Sequence, residues 1–254
     1  MVNTQGLSSM WTWLPCTVSR SIPTSSRNWN PTAESKAGAA MLDELFARYE
    51  QLGLAGDLAF ERMQHEYTDA VQCKRGCTDC CHALFGLFPI EAAFLRDRFA
   101  KLDPALQQEV LKRADQAEEQ LTKFQAMMNE AHADDPGMQA YAMARERIRC
   151  PLLNDQGDCD LYAHRPVTCR IYGIPTTVQG AGRTCWKAVF EAGKSYPAFN
   201  VDRLHRELYQ MSRSVLELGG QPDLDRAALL VHMSAALKAP LENLLRGEFG
   251  PETK

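Results

Sequence analysis

The sequence predicts a mainly α fold, a helical bundle around a cysteine-rich core with a short β-hairpin. Two observations support this prediction. Apolar residues recur at alternating steps of three and four over long stretches, most clearly in 106–131 and 201–218, and this spacing is typical of one-sided helices. Of the nine cysteines, eight lie between Cys73 and Cys185. Thiols this crowded pair as disulfides, ligate metal or do redox chemistry.

The N-terminal half is predicted to be a series of helices. Leu42 to Leu52 show helical spacing, and Gly53 and Gly56 are expected to end that helix. A second helix is expected from about residue 57 to 71, leading into the first group of cysteines. Pro89 suits the first position of a third helix, which continues to about residue 102.

The longest helix is expected to begin at Asp103-Pro104, an N-cap followed by proline at the first helical position. Its apolar stripe runs from Leu106 to Ala131, and its other face is polar. Residues 134–137 contain Asp-Asp-Pro-Gly and are expected to break it. A short helix from Tyr141 to Arg149 should then lead to Cys150.

The pattern changes after Cys150. Residues 150–162 have a polar turn in their centre and predict a short hairpin. Residues 173–182 are expected to be a loop, and a helical stretch should begin at Thr184. Further helices are predicted at 201–218 and from Asp223 to about Lys238.

We expect three parts along the chain. Residues 1–37 contain one acidic residue and many Ser, Thr, Asn and Pro, and are predicted to be a disordered leader with Cys16 as a bystander thiol. Residues 38–245 should form a single helical domain that contains the cysteine-cluster segment 73–190. Residues 246–254 are expected to be a flexible tail.

Composition and charge restrict the partners. The net charge of −4 argues against a general nucleic-acid binder. No apolar stretch is long enough to cross a bilayer, so no membrane partner is expected. The low cysteine density does not fit a small disulfide scaffold, and we expect a cytoplasmic protein. The stripes at 106–131 and 201–218 are long enough to pair as an antiparallel hairpin, and we expect this hairpin to cover the cysteine core. Alternatively, the helical stripes could bind a protein partner.

The first four clustered cysteines are spaced as metal ligands often are. Cys77 and Cys80 lie two residues apart in a turn and can direct both sulfurs to one centre, as in zinc and iron–sulfur sites. Cys80 and Cys81 are neighbours, so their side chains should diverge and serve different atoms or different centres. The later cysteines, from Cys150 onward, can join them only through the fold.

The number and spacing of the thiols do not decide which metal is bound. Eight thiolates could hold one four-iron cluster with spare ligands, two clusters, or two zinc ions. The adjacent pair Cys80-Cys81 favours an iron–sulfur cluster such as 4Fe-4S, with zinc as the alternative. No Ser–His–Asp arrangement, P-loop or His-Glu-x-x-His motif supports a hydrolase, and the catalytic residues, if any, are unknown.

Several polar residues flank these cysteines. The basic residues could stabilise a negatively charged cluster, or Arg165 or Arg170 could bind an anionic substrate or a cofactor carboxylate. These basic residues are Lys74, Arg75, Arg147, Arg149, Arg165, Arg170, Arg183 and Lys187. His82 and His164 are candidate replacement ligands, although hydrogen bonding is the commoner role. Tyr162 and Tyr172 are expected to pack in the core.

The ordered motifs resemble a known family. Cys-x3-Cys-x2-Cys-Cys at 73–81, Cys-Pro-Leu-Leu at 150–153, Gly-Asp-Cys-Asp-Leu-Tyr at 157–162, Arg-Pro-x2-Cys-Arg-x-Tyr at 165–172 and the final cysteine are similar to the YkgJ-type cysteine-cluster proteins. These are also called the CxxCxxCC family of zinc- or iron-chelating domains. The first gap is three residues here, where members commonly have two.

The resemblance implies metal or cluster binding by eight residues. They are Cys73, Cys77, Cys80, Cys81, Cys150, Cys159, Cys169 and Cys185. It implies no particular reaction. Three functions stay open: a metal-binding protein in redox chemistry or metal handling, a cluster-dependent group-transfer enzyme similar to flagellin lysine methylases, and a zinc-stapled module that binds a protein partner.

Overall fold

Amphipathic helices form most of the chain, and short irregular segments carry the cysteines between them. The computed structural model describes residues 36–249; the leader predicted for 1–37 therefore lies almost wholly outside the described residues, as does the end of the tail. The helices are α1 (Lys36–Glu66), α2 (Pro89–Phe99), α3 (Pro104–Ala131), α4 (Pro136–Arg145), α5 (Val167–Ile171), α6 (Val201–Leu218), α7 (Leu224–Ala227), α8 (Met233–Lys238) and α9 (Leu241–Leu245). The strands are β1 (Thr176–Val178), β2 (Ala181–Arg183) and β3 (Phe199–Asn200).

The first two predicted helices are one helix. α1 runs without interruption through Gly53 and Gly56, which were expected to end it. A Cβ at Gly53 would lie 3.2 Å from Nε of Arg170, and a Cβ at Gly56 would lie 3.3 Å from side-chain carbons of Val167 and Ile171. The two glycines therefore form a notch in which α5 packs against α1, and they do not act as helix breakers.

Capping residues fix the next helices. The carboxylate of Asp103 accepts hydrogen bonds from the backbone N–H groups of Ala105 and Leu106, which confirms the predicted start of α3. The prediction for α4 was wrong at both ends, since the helix begins at Pro136 and ends at Arg145. Asp135 lies in the segment that separates α3 from α4, and its side chain caps α4. Because Pro136 then takes the first helical position, α4 begins five residues before the predicted start at Tyr141.

The β-hairpin lies further along the chain than predicted. β1 pairs antiparallel with β2 and parallel with β3, in the order β2-β1-β3. Gln179 (φ 50°) and Gly180 (φ 75°) form the two-residue turn, and positive φ at both positions matches the twist of the paired strands. In residues 150–162 the turn forms, but Leu153 and Cys159 make only an isolated bridge.

Two C-terminal helix predictions were also wrong. Residues from Thr184 to Ala198 contain no helix. Trp186 and Val189 are exposed there, and Phe190 packs against the core without a helical apolar stripe beside it. The helix expected from 223 to 238 is divided into α7 and α8, and His232, whose side chain accepts a hydrogen bond from Ser234 N–H, caps α8.

The main core surrounds α2. Residues 89–95 of this helix are all buried, with Ile90 and Phe94 on one face and Leu95 beside them. α6 packs on α1 and α2, and α8 and α9 also pack on α2. α2 therefore fixes the positions of the helices on either side of the cysteine segments.

The two long stripes do not pair with each other, contrary to the expectation for two amphipathic arms of similar length. α3 packs on α8 and α4, whereas α6 packs on α1 and α2. The far half of α3 places Leu121 and Phe124 against a small second core that includes Leu84 and Ile148. The stripe of α6 is thus buried within this chain, whereas the stripe of α3 is buried only as far as Ala117 and is half-buried at Leu121, Phe124 and Met128.

A buried carboxylate joins α1, α2 and α5. Glu91 accepts hydrogen bonds from the hydroxyl of Tyr49 (3.1 Å) and from the backbone N–H of Phe88 (3.2 Å). Burial raises the pKa of Glu91 to about 7, against hydrogen bonds from Phe88, Tyr49 and the backbone of Val167 that lower it. The backbone donor of Val167 thus ties α5 to Glu91 in addition to its packing in the glycine notch.

The C-terminal residues that the structure describes are packed. Phe249 lies against the main core, and a guanidinium N–H of Arg226 donates to the carbonyl of Gly247 at 3.0 Å. Residues 250–254 of the predicted tail lie outside the described residues. Within residues 36–249, no helix combines the length and the apolar content that a membrane span requires.

The glycine notch gives the first prediction. Gly56→Leu should lower the free energy of unfolding by about 2 kcal/mol or more, because the new side chain must displace Val167 and Ile171. Gly38→Ala in the same helix is the control, since nothing lies within 4 Å of the added carbon. It should leave stability unchanged or raise it by up to about 1 kcal/mol. Urea unfolding measures both, and equal stability of the two variants would contradict the notch.

Candidate metal centre

Seven of the eight clustered cysteines line one cavity of about 440 Å³. They come from four separate segments of the chain and are Cys73, Cys77, Cys80, Cys81, Cys150, Cys159, Cys169. None of the eight is in a disulfide. The fold therefore brings the near-adjacent group at 73–81 together with the group at 150–169.

The first segment is shaped by a tight turn. Gly76 has a φ of 85°, and the backbone N–H of Cys77 donates to the carbonyl of Lys74 at 2.9 Å. A short 3-10 turn over Cys80–His82 follows. The sulfurs of Cys80 and Cys81 lie 3.9 Å apart, so these neighbours do not diverge as expected.

The second segment is attached to the first through the backbone. The N–H of Cys150 donates to the carbonyl of Cys81 at 2.7 Å, and Ala83 and Arg147 form an antiparallel bridge. The turn that begins at Asn154 then returns Cys159 to the same wall. These two backbone contacts join residues that are about 65 positions apart in the sequence. No local sequence pattern could therefore have revealed them.

Two close approaches position the remaining cavity cysteines. Cys169 is on α5, which lies in the glycine notch of α1. Gly173, immediately after, has a φ of 104°, and a Cβ there would lie 2.6 Å from the Cβ of Cys73. Gly173 therefore needs to be glycine both for its left-handed backbone and for its contact with Cys73.

The thiols interact strongly with one another. The pKa of Cys80 is lowered to about 3 because the thiols of Cys169 and Cys81 donate hydrogen bonds to its sulfur. The pKa values of Cys81 and Cys169 are raised, since donating to that thiolate requires that they keep their protons. One sulfur therefore carries the negative charge for this group of three.

Burial acts on the other thiols. It raises the pKa of Cys73 to about 12, with the charge of Cys77 adding to the effect. It raises the pKa of Cys150 to about 12 and that of Cys159 to about 11, and nearby acidic groups contribute in each case. Crowded sulfurs in a half-buried cavity repel one another as thiolates, and a bound cation would remove that repulsion.

Cys185 is the exception among the predicted ligands. Its side chain lines a neighbouring cavity, and its sulfur lies 3.9 Å from a carboxylate oxygen of Asp79. Burial raises the pKa of Cys185, and the Asp79 carboxylate adds to this. Cys185 thus lines the neighbouring cavity, yet it lies close enough to Cys73 and Cys77 for their charges to interact.

Asp79 connects the cysteine segments. Its carboxylate is 5% exposed and accepts hydrogen bonds from Arg147 Nη2 (2.9 Å), Tyr172 Oη (2.9 Å) and Trp186 Nε1 (3.1 Å). Burial alone raises the pKa of Asp79, but the hydrogen bonds from Tyr172 and Trp186 and the charges of Arg147 and Lys187 outweigh it and bring the net pKa below its ordinary value. Sequence reasoning missed this residue, because an Asp within a cysteine turn is also a common turn former.

The flanking basic residues are mostly paired with acids. Arg165 lies 2.8 Å from a carboxylate oxygen of Asp57, and Arg170 contacts the other oxygen of the same carboxylate. Arg75 pairs with Asp158 at the cavity edge. These contacts give Arg165 and Arg170 a structural role, although both also line the thiol cavity.

The candidate tyrosines line the thiol cavity, whereas the candidate histidines lie outside it. A ring nitrogen of His82 is 3.0 Å from the carbonyl of Thr78, and His164 packs edge-on against Phe94. Neither histidine lines the thiol cavity. Tyr162 and Tyr172 are not core residues, since Tyr162 is 55% exposed under the guanidinium of Arg165 and Tyr172 donates to Asp79.

The donor set fits a thiophilic metal or cluster. Seven sulfurs share one cavity, and thiolate is the ligand that zinc and iron–sulfur centres prefer. In residues 36–249, no group of three or more His, Cys, Asp or Glu side chains is placed so that it could hold a metal ion as it stands. The fit is therefore one of donor chemistry and of a shared cavity.

Comparison with protein families gives a match over this region. Residues 72–186 match the model of the CxxCxxCC family, whose description is "Putative zinc- or iron-chelating domain". The matched segment includes all eight clustered cysteines and Asp79. Comparisons with curated proteins and with solved structures gave no match.

The Asp79 contacts give a second prediction. Asp79→Asn should lower the free energy of unfolding by about 2–4 kcal/mol, because it replaces a buried acceptor of three hydrogen bonds with a group that also presents donors. Asp158→Asn is the matched control, because its partner Arg75 is 84% exposed. It should cost about 0–1 kcal/mol. Urea unfolding of both proteins checks the difference, and similar losses would show that Asp79 does not connect the segments.

Proposed function

We propose that the thiol cavity binds an iron–sulfur cluster, with zinc as the alternative metal. The match of residues 72–186 to the CxxCxxCC family supports a metal site of either kind. The family description, a zinc- or iron-chelating domain, supports metal binding through these cysteines. The observation that carries the finer proposal is the convergence of seven thiols on one cavity. One tetrahedral zinc and one 4Fe-4S cluster each use four thiolates, so seven sulfurs suit a cluster with spare ligands, two centres, or two zinc ions that share ligands.

The proposed ligands are the seven cysteines of the cavity, with Cys185 outside the set. The 3.9 Å separation of the Cys80 and Cys81 sulfurs is about the edge of a sulfur tetrahedron around one metal ion with bonds of about 2.3 Å, so both can serve a single iron or a single zinc. Ligands from four segments also suit a cluster, whose irons accept thiolates from several directions.

The surroundings support a role in redox chemistry or metal handling. A bound cluster would supply one-electron transfer. Arg165 and Arg170 at the cavity wall place positive charge near the sulfurs, and cations close to a cluster stabilise its negative charge and raise its potential. We further propose a cytoplasmic location, where cysteines stay reduced.

The metal itself is tested by spectroscopy. Full-length protein purified anaerobically, or reconstituted with iron and sulfide, should be brown, with a broad charge-transfer band and equal amounts of iron and acid-labile sulfide. A colourless protein with stoichiometric zinc after the same treatment would replace the cluster with zinc. Protein that retains neither metal would overturn the proposed function.

Single cysteine variants test the ligand set. Cys80→Ser should lower metal affinity by about tenfold or more, because it removes the sulfur that contacts two other thiols. Cys185→Ser and Cys16→Ser should retain the wild-type metal content. Metal analysis after dialysis against a chelator compares the metal content that the three variants retain. If Cys185→Ser loses as much metal as Cys80→Ser, then Cys185 is a ligand and the seven-cysteine assignment is wrong.

Gly173 allows a test that leaves every sulfur in place. Gly173→Ala should weaken metal retention, because the added carbon displaces Cys73, whose Cβ lies 2.6 Å from it. Gly180→Ala is the matched control: Gly180 also has positive φ, but nothing lies within 4 Å of the added carbon. Both variants should pay a similar backbone cost of about 1 kcal/mol, and only the first should release metal faster to a chelator. Equal rates of metal release from the two variants would show that Cys73 is not a ligand.

A further inference from the structure

A second cavity of about 580 Å³ adjoins the thiol cavity. Phe85 and Tyr172 line both cavities and form the wall between them. Its other walls come from α4, α5, the small sheet and the start of α6. The volume falls within the range of about 300–1,000 Å³ that is usual for sites of small organic molecules.

The floor of this second cavity is apolar. It is formed by the buried side chains of Leu84, Ile171, Ile174 and Val201. Val178 of β1 adds a half-buried wall. These side chains can contact the hydrocarbon part of a ligand, and they offer it no hydrogen-bonding partner.

The polar part of the lining is more basic than acidic. Three arginines, Arg145, Arg147 and Arg183, line the cavity together with the acids Asp79 and Glu146. Arg147 and Asp79 are already paired at 2.9 Å. Arg145 is exposed and donates to the hydroxyl of Tyr141 at 3.0 Å, a neutral partner that leaves its positive charge in place.

An aromatic ring stands at the edge of the cavity. Trp186 is 75% exposed, yet its indole N–H donates to buried Asp79, which fixes the orientation of the ring. An exposed indole held in this way offers a flat surface on which another planar group can stack. Singly exposed aromatics are common on proteins, but this one lines a cavity with an apolar floor.

From these features together we propose that the second cavity binds a small organic anion with a flat apolar body, such as an aromatic carboxylate. The body lies on the apolar floor beside Trp186, and the carboxylate faces the arginines. Such a ligand would be separated from the thiol cavity only by Phe85 and Tyr172. The proposal goes beyond metal binding, and the ligand contacts it names do not depend on the metal.

The test uses full-length, metal-loaded protein and 2-naphthoate as the probe. Binding is followed by fluorescence anisotropy of the probe, with naphthalene-2-methanol as a neutral competitor of similar shape. The anion should bind about tenfold or more tightly than the alcohol, because only the carboxylate forms charge-assisted hydrogen bonds with arginine. Equal affinities would contradict the proposed ligand class.

Variants locate the bound probe. Arg145→Gln should weaken 2-naphthoate binding by about fivefold or more. Tyr141→Phe is its control, because it removes the same Arg145 hydrogen bond and keeps the charge, so its affinity should stay at the wild-type value. Ala144→Trp places a large ring at an exposed position of the lining and should abolish binding.

A third cavity, between α1 and α6, provides a control for the location of the bound probe. It has a volume of about 650 Å³ and is also lined by arginines, among them the exposed Arg203. Arg203→Gln should leave 2-naphthoate affinity unchanged. If this variant weakens binding as much as Arg145→Gln does, or if Ala144→Trp binds normally while folded, the ligand lies elsewhere and the proposal is wrong. Metal content measured on the same samples keeps this result separate from failure of the metal site.

Discussion

The arrangement of the cysteine segments depends on the buried carboxylate of Asp79. It lies beside Cys80 and accepts hydrogen bonds from Arg147, Tyr172 and Trp186, which stand close in sequence to Cys150, Cys169 and Cys185 respectively. One side chain therefore connects segments that are more than 100 residues apart. Because the carboxylate is ionised and buried, losing any one donor leaves charge without compensation, and the contacts stabilise one another.

The helices supply a second constraint, which acts on Cys169. α5 is only five residues long and cannot hold itself in place. It is fixed by its packing in the notch at Gly53 and Gly56 and by the hydrogen bond from the backbone of Val167 to Glu91. Burying Glu91 costs free energy, and its raised pKa shows this cost. The tight position of α5 results from these two contacts, and metal binding then adds to an arrangement that the helices already hold.

Much of this could be predicted from sequence, and the failures have physical causes. Periodicity and caps identified α3 and α6 because those signals are local. The glycines at 53 and 56 were misinterpreted because a helix breaker and a close-packing glycine have the same sequence, and only the partner α5 distinguishes them. The pairing of the stripes was wrong because amphipathicity specifies a buried face but not its partner. The cysteine motifs indicated a metal site, whereas Asp79 and Gly173 act through residues distant in sequence and could not be found from local patterns.

The packing of α3 changes what can approach the thiol cavity. If α3 and α6 had paired over the cysteines, the site would have been closed by two apolar arms. α3 instead packs on α8 and α4, and the cysteines remain half-buried beside a second cavity. Tyr172 is central to this arrangement, because its ring separates the two cavities while its hydroxyl is bound to Asp79. A change in the second cavity that moves Tyr172 would act on Asp79 and hence on the turn that carries Cys77 and Cys80. The hydrogen bond from Tyr172 to Asp79 thus links the lining of the neighbouring cavity to the segments that carry the thiols. A ligand that moved the ring of Tyr172 would act on the thiols through this bond.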